Sequence, residues 1–130
     1  MSTELIRRYY DAFNAGDVDG MIGCLAPDVA HHVNEGAVRV GRDAFRAFCD
    51  HMARCYREEL RDIVVLAGPD GRFGAEFTVH GTYLQTDDEL PEARGQTYTL
   101  PAGAFFTVRD GAIARVVTYY NLADWVRQVS

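Results

Sequence analysis

The chain opens on a helical pattern. Between residues 3 and 14, Leu5, Ile6, Tyr9, Tyr10 and Phe13 recur at intervals that place them on one apolar stripe. Gly16 suits a left-handed C-terminal cap. Asp17 then caps a second helix, with Met21, Ile22, Cys24 and Leu25 on its buried side and Pro27–Asp28 at its end. "VAHHVN" (29–34) reads as a short strand, and "EGAVRVG" as a turn with a brief second strand. From Gly41 to about Arg57, Phe45, Phe48, Cys49, Met52, Cys55 and Tyr56 share one face of a third helix, with Asp43 favourably placed in its first turn.

Beyond this helix the period shortens to two. Strands are predicted at 60–68, 72–86, 96–110 and 112–121, with tight turns at Pro69–Asp70–Gly71 and at Gly111. Pro101 inside the third of these predicts a bulge or an edge. "LADWVRQVS" forms a short closing helix. The polar stretch 87–95 is longer than a hairpin needs, and reads either as a rim over a pocket or as a solvated loop. Helices first and antiparallel strands after them give an α+β fold, and residues 1–130 read as one domain without linker or repeat.

Composition narrows the function. The net charge is −6 and the chain has no Lys, its basic residues being scattered Arg, which disfavours a nucleic-acid partner. No run approaches a membrane span, and "MSTELIRR" lacks the apolar core of a secretory signal, so a cytoplasmic protein is expected. Cys24, Cys49 and Cys55 are odd in number and lack C-x-x-C spacing, which fits reduced thiols. His31, His32 and His51 have no zinc-type ligand spacing, so neither a metal nor another cofactor is expected.

Three segments carry a family resemblance: "YYDAFNAGDVDGMIGCLAPDV", the helix start "GRDAFRAF", and "FFTVRDGAIARVVTYYN". In these the chain resembles the cone-shaped superfamily of nuclear transport factor, ketosteroid isomerase and the SnoaL-like polyketide cyclases, over nearly its whole length. The resemblance implies three N-terminal helices packed in a strongly curved, mixed but mostly antiparallel sheet, with a short C-terminal helix. It also implies an apolar pocket for a small organic ligand and a homodimer formed through the convex face of the sheet.

The pocket residues follow from that architecture and strand alternation. Phe13, Phe48 and Met52 come from the first and third helices. Val33, Phe77, Val79, Tyr98, Ala104, Thr118 and Tyr120 come from inward strand positions, and Asn121 sits at the mouth. Arg115, Val117, Tyr119, Glu76, Thr78 and His80 take outward positions.

Ketosteroid isomerases pair a carboxylate base with a Tyr and a protonated Asp. The resemblance places that Tyr at Tyr9, but Val33 and Ala104 stand where the two carboxylates would be. His31 shares the inward parity of Val33 and becomes the expected base, with Tyr9 as donor and Glu35 in reserve. His51 is expected on an exposed helix face. The expected chemistry is proton transfer on an apolar carbonyl compound: isomerisation, cyclisation or dehydration. A non-catalytic binding protein and a water-activating hydrolase of the same fold are the alternatives.

Overall fold

The structure, a computed structural model, describes residues 3–130. Helices α1 (Glu4–Asn14) and α2 (Val18–Ile22) lead into strand β1 (Leu25–Val33), short β2 (Arg39–Val40) and helix α3 (Arg42–Cys55). Strands β3 (Tyr56–Ala67), β4 (Arg72–Tyr83), β5 (Thr97–Arg109) and β6 (Ala112–Tyr120) follow, closed by helix α4 (Leu122–Val129). One sheet in the order β2-β1-β6-β5-β4-β3 contains them all. Only the β1–β6 pair is parallel, so the expected mixed, mostly antiparallel sheet is present.

Local chemistry explains the joints. Gly16 adopts φ +69°, and the Asp17 side chain accepts from the Gly20 N–H at 2.9 Å, so one helix stops and the next starts within three residues. The second helix is shorter than its sequence pattern suggests. Ile113 N–H donates to the Cys24 carbonyl, recruiting Leu25–Val33 into the sheet four residues earlier than expected. The third helix also ends early, at Cys55 rather than near Arg57. The Cys55 carbonyl accepts from Leu84 and Gln85 N–H, and Tyr56 turns extended. Pro101 pairs regularly with Thr78 on β4, but it lies just past the last β5–β6 pair, Ala102–Tyr120. It therefore occupies a local edge and costs no ladder bond.

Two amides finish strand edges that lack a neighbour. Asn14 both donates to the Leu60 carbonyl and accepts from the Leu60 N–H, each at 2.9 Å, tying α1 to edge strand β3. Gln128 does the same for Thr99 on β5, at 2.9 and 3.0 Å, where β6 has already ended. Each clasp satisfies backbone groups that an open sheet edge would leave to solvent.

The helices bury their apolar stripes on one face of the sheet. Tyr9 and Tyr10 of α1 meet Phe106 of β5, Tyr10 meets Phe77 of β4, and Phe45 of α3 meets Tyr9. Each such ring, withdrawn from water, contributes roughly 1.5–3 kcal/mol. The inner-face alternation of Ala75, Phe77 and Val79 is as the sequence predicts, Phe73 extends it, and Glu76 points outward and is exposed.

Among the described residues, one polar side chain lies buried in this core. His31 is 4% exposed, its ring set edge-on to Phe45 and Phe48 at 5.0 and 4.7 Å, and its Nδ1 has no hydrogen-bond partner. Burial first, then the charges of Arg39 and His32, push its pKa down to about 4. The unfolded imidazole, near 6.5, thus binds a proton that the folded one refuses between pH 6.5 and 4. Stability falls as pH falls through that window, by about 2–3 kcal/mol at pH 4.5, and the contribution is flat above 6.5. Urea unfolding at pH 7 and 4.5 should show this loss in the wild type and not in His31→Phe. Parallel pH dependence in the two proteins would contradict it.

Candidate active site

The inner face changes character toward one end of the sheet. Glu58 on β3 pairs with Gly81 on β4, and Gly81 pairs with Tyr98 on β5, so the three form one row across the strands. A Cβ at Gly81 would overlap the Tyr98 ring. Because it is absent, Tyr98 lies across β4 and donates its hydroxyl to Glu58 Oε2 at 2.5 Å. Trp125 of α4 packs on Tyr98, Tyr83 and Tyr56 with centroids 5.9, 4.9 and 6.0 Å apart, backing this row with rings.

The next row is Tyr56–Tyr83, stacked at 5.5 Å. Tyr83 organises the long connection 84–96. Its hydroxyl donates to the Pro91 carbonyl at 2.7 Å and accepts from Asp87 N–H at 2.9 Å. The far end of the connection is pinned by Gln96, which donates to the Val129 carbonyl at 2.8 Å. Leu90 and Ala93 pack against the core, so the segment is a rim anchored at these points, with Asp88, Glu89, Glu92, Arg94 and Gly95 exposed to solvent. This rim carries Asp87 onto Tyr56, which donates to Oδ2 at 2.7 Å, and onto His51 of α3, whose Nε2 lies 2.9 Å from Oδ1.

The two carboxylates occupy different electrostatic settings. Burial pushes the Glu58 pKa up, and the Tyr98 hydrogen bond only partly offsets this. Burial would also raise Asp87, but hydrogen bonds from Tyr56, His51 and the Asp88 N–H outweigh it and hold its pKa below the ordinary value. Tyr120, half-buried on β6, is raised by burial and then by the charges of Glu58 and Asp87. Its hydroxyl makes no hydrogen bond among the described residues. It also borders an open depression of about 520 Å³ with Asn34, Glu35, Tyr119 and Asn121. Such an arrangement supplies a carboxylate of raised proton affinity, an anchored anion and a free phenolic donor. Together these are the parts of a proton-transfer site.

The residues singled out from sequence are distributed differently. His31 faces inward as expected, but it is enclosed by Phe45 and Phe48 and neutral down to acidic pH. Tyr9 is buried among Tyr10, Phe45 and Phe106, and burial pushes its hydroxyl pKa well up. Both pack on Phe45, so they are neighbours in the core, away from the polar rows. Glu35 is exposed in the turn after β1 and borders the same depression as Tyr120 and Asn121.

Of the expected pocket residues, Phe77, Val79, Tyr98 and Ala104 are buried on the inner face, with Phe13 and Tyr120 packed at its margin. Val33, Phe48, Met52 and Thr118 are half-buried. Asn121 is exposed and accepts from Asp124 N–H at 3.0 Å as the N-cap of α4, while its residue borders the depression. His51 is not on a free helix face but bonded to Asp87. Three metal-type donors, on His51, Cys55 and Asp87, come within 4.8 Å of one another, which spacing in sequence did not signal. His51 and Asp87 are already bonded to each other there.

Sequence reasoning missed Glu58, Tyr56 and Asp87. A signal for the first two existed: Tyr56, Glu58 and Leu60 alternate as strand residues do. Running the helix through Arg57 hid it. Asp87 carries no local signal, because its partners lie 31 and 36 residues away.

Comparison with known proteins places this geometry. A family model described as a SnoaL-like domain matches residues 6–116. Among solved structures, a protein named as a candidate polyketide cyclase from Silicibacter sp. is 64% identical, with TM-score 0.96, covering 98% of this chain and 94% of that one. One of the same description from Xanthomonas campestris pv. campestris is 57% identical, with TM-score 0.94 and coverages of 98% and 96%. A third, from Pseudomonas putida, is 56% identical, with TM-score 0.96 and coverages of 98% and 97%. No curated protein matches. With its six-stranded mixed sheet, its four helices and these relatives, the chain belongs to the SnoaL-like domain family.

Proposed function

We propose that the protein catalyses proton transfer on a small carbonyl compound, in the manner of a ring-closing polyketide cyclase. The observation that carries this reading is the Glu58 carboxylate, set on the inner face and hydrogen-bonded by Tyr98 across Gly81. The relatives named as candidate polyketide cyclases support the reaction class. Base and donor then differ from the His31 and Tyr9 expected from sequence.

In this reading Glu58 takes a proton from the carbon next to a carbonyl group. The C–H electron pair moves into the new enolate, whose oxygen accepts from the Tyr120 hydroxyl. The enolate carbon attacks a second carbonyl carbon of the same molecule, forming the ring bond. The resulting alkoxide takes its proton back from Glu58, which restores the carboxylate. Asp87, held by Tyr56 and His51, stays anionic and fixes the rim. Returning the proton to a different carbon would give isomerisation from the same groups.

Deuterium exchange at the α-carbon of a panel of cyclic ketones, followed by NMR, tests the assignment. Glu58→Gln should slow exchange by about 10²–10⁴-fold. Tyr9→Phe and His31→Phe should leave it within a few-fold of wild type. Exchange that survives Glu58→Gln, or is absent from the wild type although ligands bind, would contradict the catalytic reading and leave a binding protein.

The proposal extends to a homodimer in the cytoplasm. Val64, Leu66 and Phe105 are exposed on the outer face, and the first two with Phe105 border an open groove of about 480 Å³ beside Pro101 and Gly103. An apolar patch of this kind on a sheet suits a second copy of the same surface. The three cysteines are unpaired, which agrees with a reducing compartment, and no helix among the described residues is long and apolar enough to cross a membrane. Light scattering at micromolar concentration should give about twice 14.5 kDa, and Phe105→Asp should return the monomer. A wild-type monomer would remove the dimer.

A further inference from the structure

Where the rim returns to α3, three side chains with metal-binding chemistry converge. His51 and Cys55 stand one turn apart on α3, so both donors leave the same face of the helix. Asp87 comes to them from the rim, and the three donor atoms lie within 4.8 Å of one another. No fourth His, Cys, Asp or Glu joins the group among the described residues. Charge at this spot favours a cation: the Cys55 sulfur feels Asp87 and Asp88 against Arg54, two negative charges against one positive.

The carboxylate is held ready. Tyr56 O–H occupies Oδ2 at 2.7 Å, which leaves Oδ1 facing Nε2 of His51, 2.9 Å away. The Asp88 N–H also donates to Oδ1, at 2.9 Å. Outer hydrogen bonds of this kind orient a metal-binding carboxylate, and Tyr83 and Gln96 hold the rim that carries it. Access differs among the three. The His51 and Asp87 side chains are 40% and 20% exposed, whereas Cys55 is buried. An ion enters between imidazole and carboxylate and meets the sulfur behind them.

From this convergence we propose that His51 Nε2, Cys55 Sγ and Asp87 Oδ1 form a binding site for a zinc-type divalent cation. Nitrogen, sulfur and carboxylate oxygen make a donor set that zinc accepts, whereas magnesium and calcium take oxygen donors. Bonds of about 2.0–2.3 Å set tetrahedral ligand atoms roughly 3.3–3.6 Å apart. From 4.8 Å at most, the sulfur then closes by no more than about 1.2 Å, and the His51–Asp87 pair opens by a few tenths. The ion takes the lone pair of Nε2, whose hydrogen moves to Nδ1, and the Cys55 thiol proton leaves to solvent. Three ligands from the chain leave the fourth corner to water. Such a site ties α3 to the rim, and it depends neither on Glu58 nor on the reaction proposed above. Sequence spacing concealed it, because only the His51–Cys55 pair is local.

Cobalt(II) is the probe, titrated into the reduced, intact protein at neutral pH. Wild type should gain a thiolate-to-cobalt charge-transfer band in the near ultraviolet and the intense visible bands of a four-coordinate site, saturating at one ion per chain. Zinc should then bleach both. Cys55→Ser should abolish the charge-transfer band, whereas Cys24→Ser and Cys49→Ser should keep it. His51→Gln, at a half-exposed position outside the core, should weaken binding at least tenfold, and so should Asp87→Asn. Tyr56→Phe, which frees Oδ2, should cost about tenfold. Near-ultraviolet circular dichroism of each metal-free variant confirms that it is folded before titration. Visible bands without charge transfer mean an ion on surface carboxylates alone, and would overturn the site. A charge-transfer band that survives Cys55→Ser, undiminished binding in His51→Gln, or no spectral change at millimolar cobalt would overturn it equally.

Discussion

A carboxylate drawn inside a protein needs a hydrogen bond, and Glu58 obtains it from a tyrosine two strands away. The strand between them must then offer no side chain at the crossing point, and Gly81 meets that requirement. Much of the surrounding structure follows from this one reach. Tyr98 can lie flat only if something backs its ring, and Trp125 of α4 does so. The closing helix is held in turn by the Gln128 clasp on Thr99, one residue beyond Tyr98. Adding a methyl group at Gly81 would disturb strand, helix and carboxylate together.

The second carboxylate comes from the opposite kind of element. Asp87 rides on a connection instead of a strand, yet that connection is fixed at both ends by hydrogen bonds to Tyr83 and Val129. Satisfied by three donors, Asp87 keeps its charge, whereas Glu58 with one donor does not keep it as readily. Two acids of ordinary chemistry are thereby driven in opposite directions by their surroundings alone. This divergence is what the proposed reaction needs, since a base that is too stable as an anion takes no proton from carbon.

The fold was largely legible in the sequence, because it rests on local and periodic signals. The helical stripe of α1, the joint at Gly16–Asp17 and the inward set Ala75, Phe77 and Val79 all read directly. Errors fell where two periods share residues. Cys55 and Tyr56 extend the helical pattern of α3, while Tyr56, Glu58 and Leu60 begin the strand pattern of β3. The choice is made by Leu84 and Gln85, which take the Cys55 carbonyl from the helix. The site was much less legible. Family position directed attention to Tyr9, and parity to His31, but neither says what encloses a side chain. Phe45, which touches both rings, decides that they belong to the core. Asp87 could be found only once the chain had folded back over Tyr83.

The account's central claim is that the fold separates the proton affinities of Glu58 and Asp87. Carboxyl carbon-13 NMR of the intact protein, titrated in pH with Glu58→Gln and Asp87→Asn for assignment, measures this directly. Glu58 should titrate above the ordinary 4.5 of a glutamate and Asp87 below the ordinary 3.8 of an aspartate. Titration of Glu58 at or below the ordinary glutamate value would contradict the account.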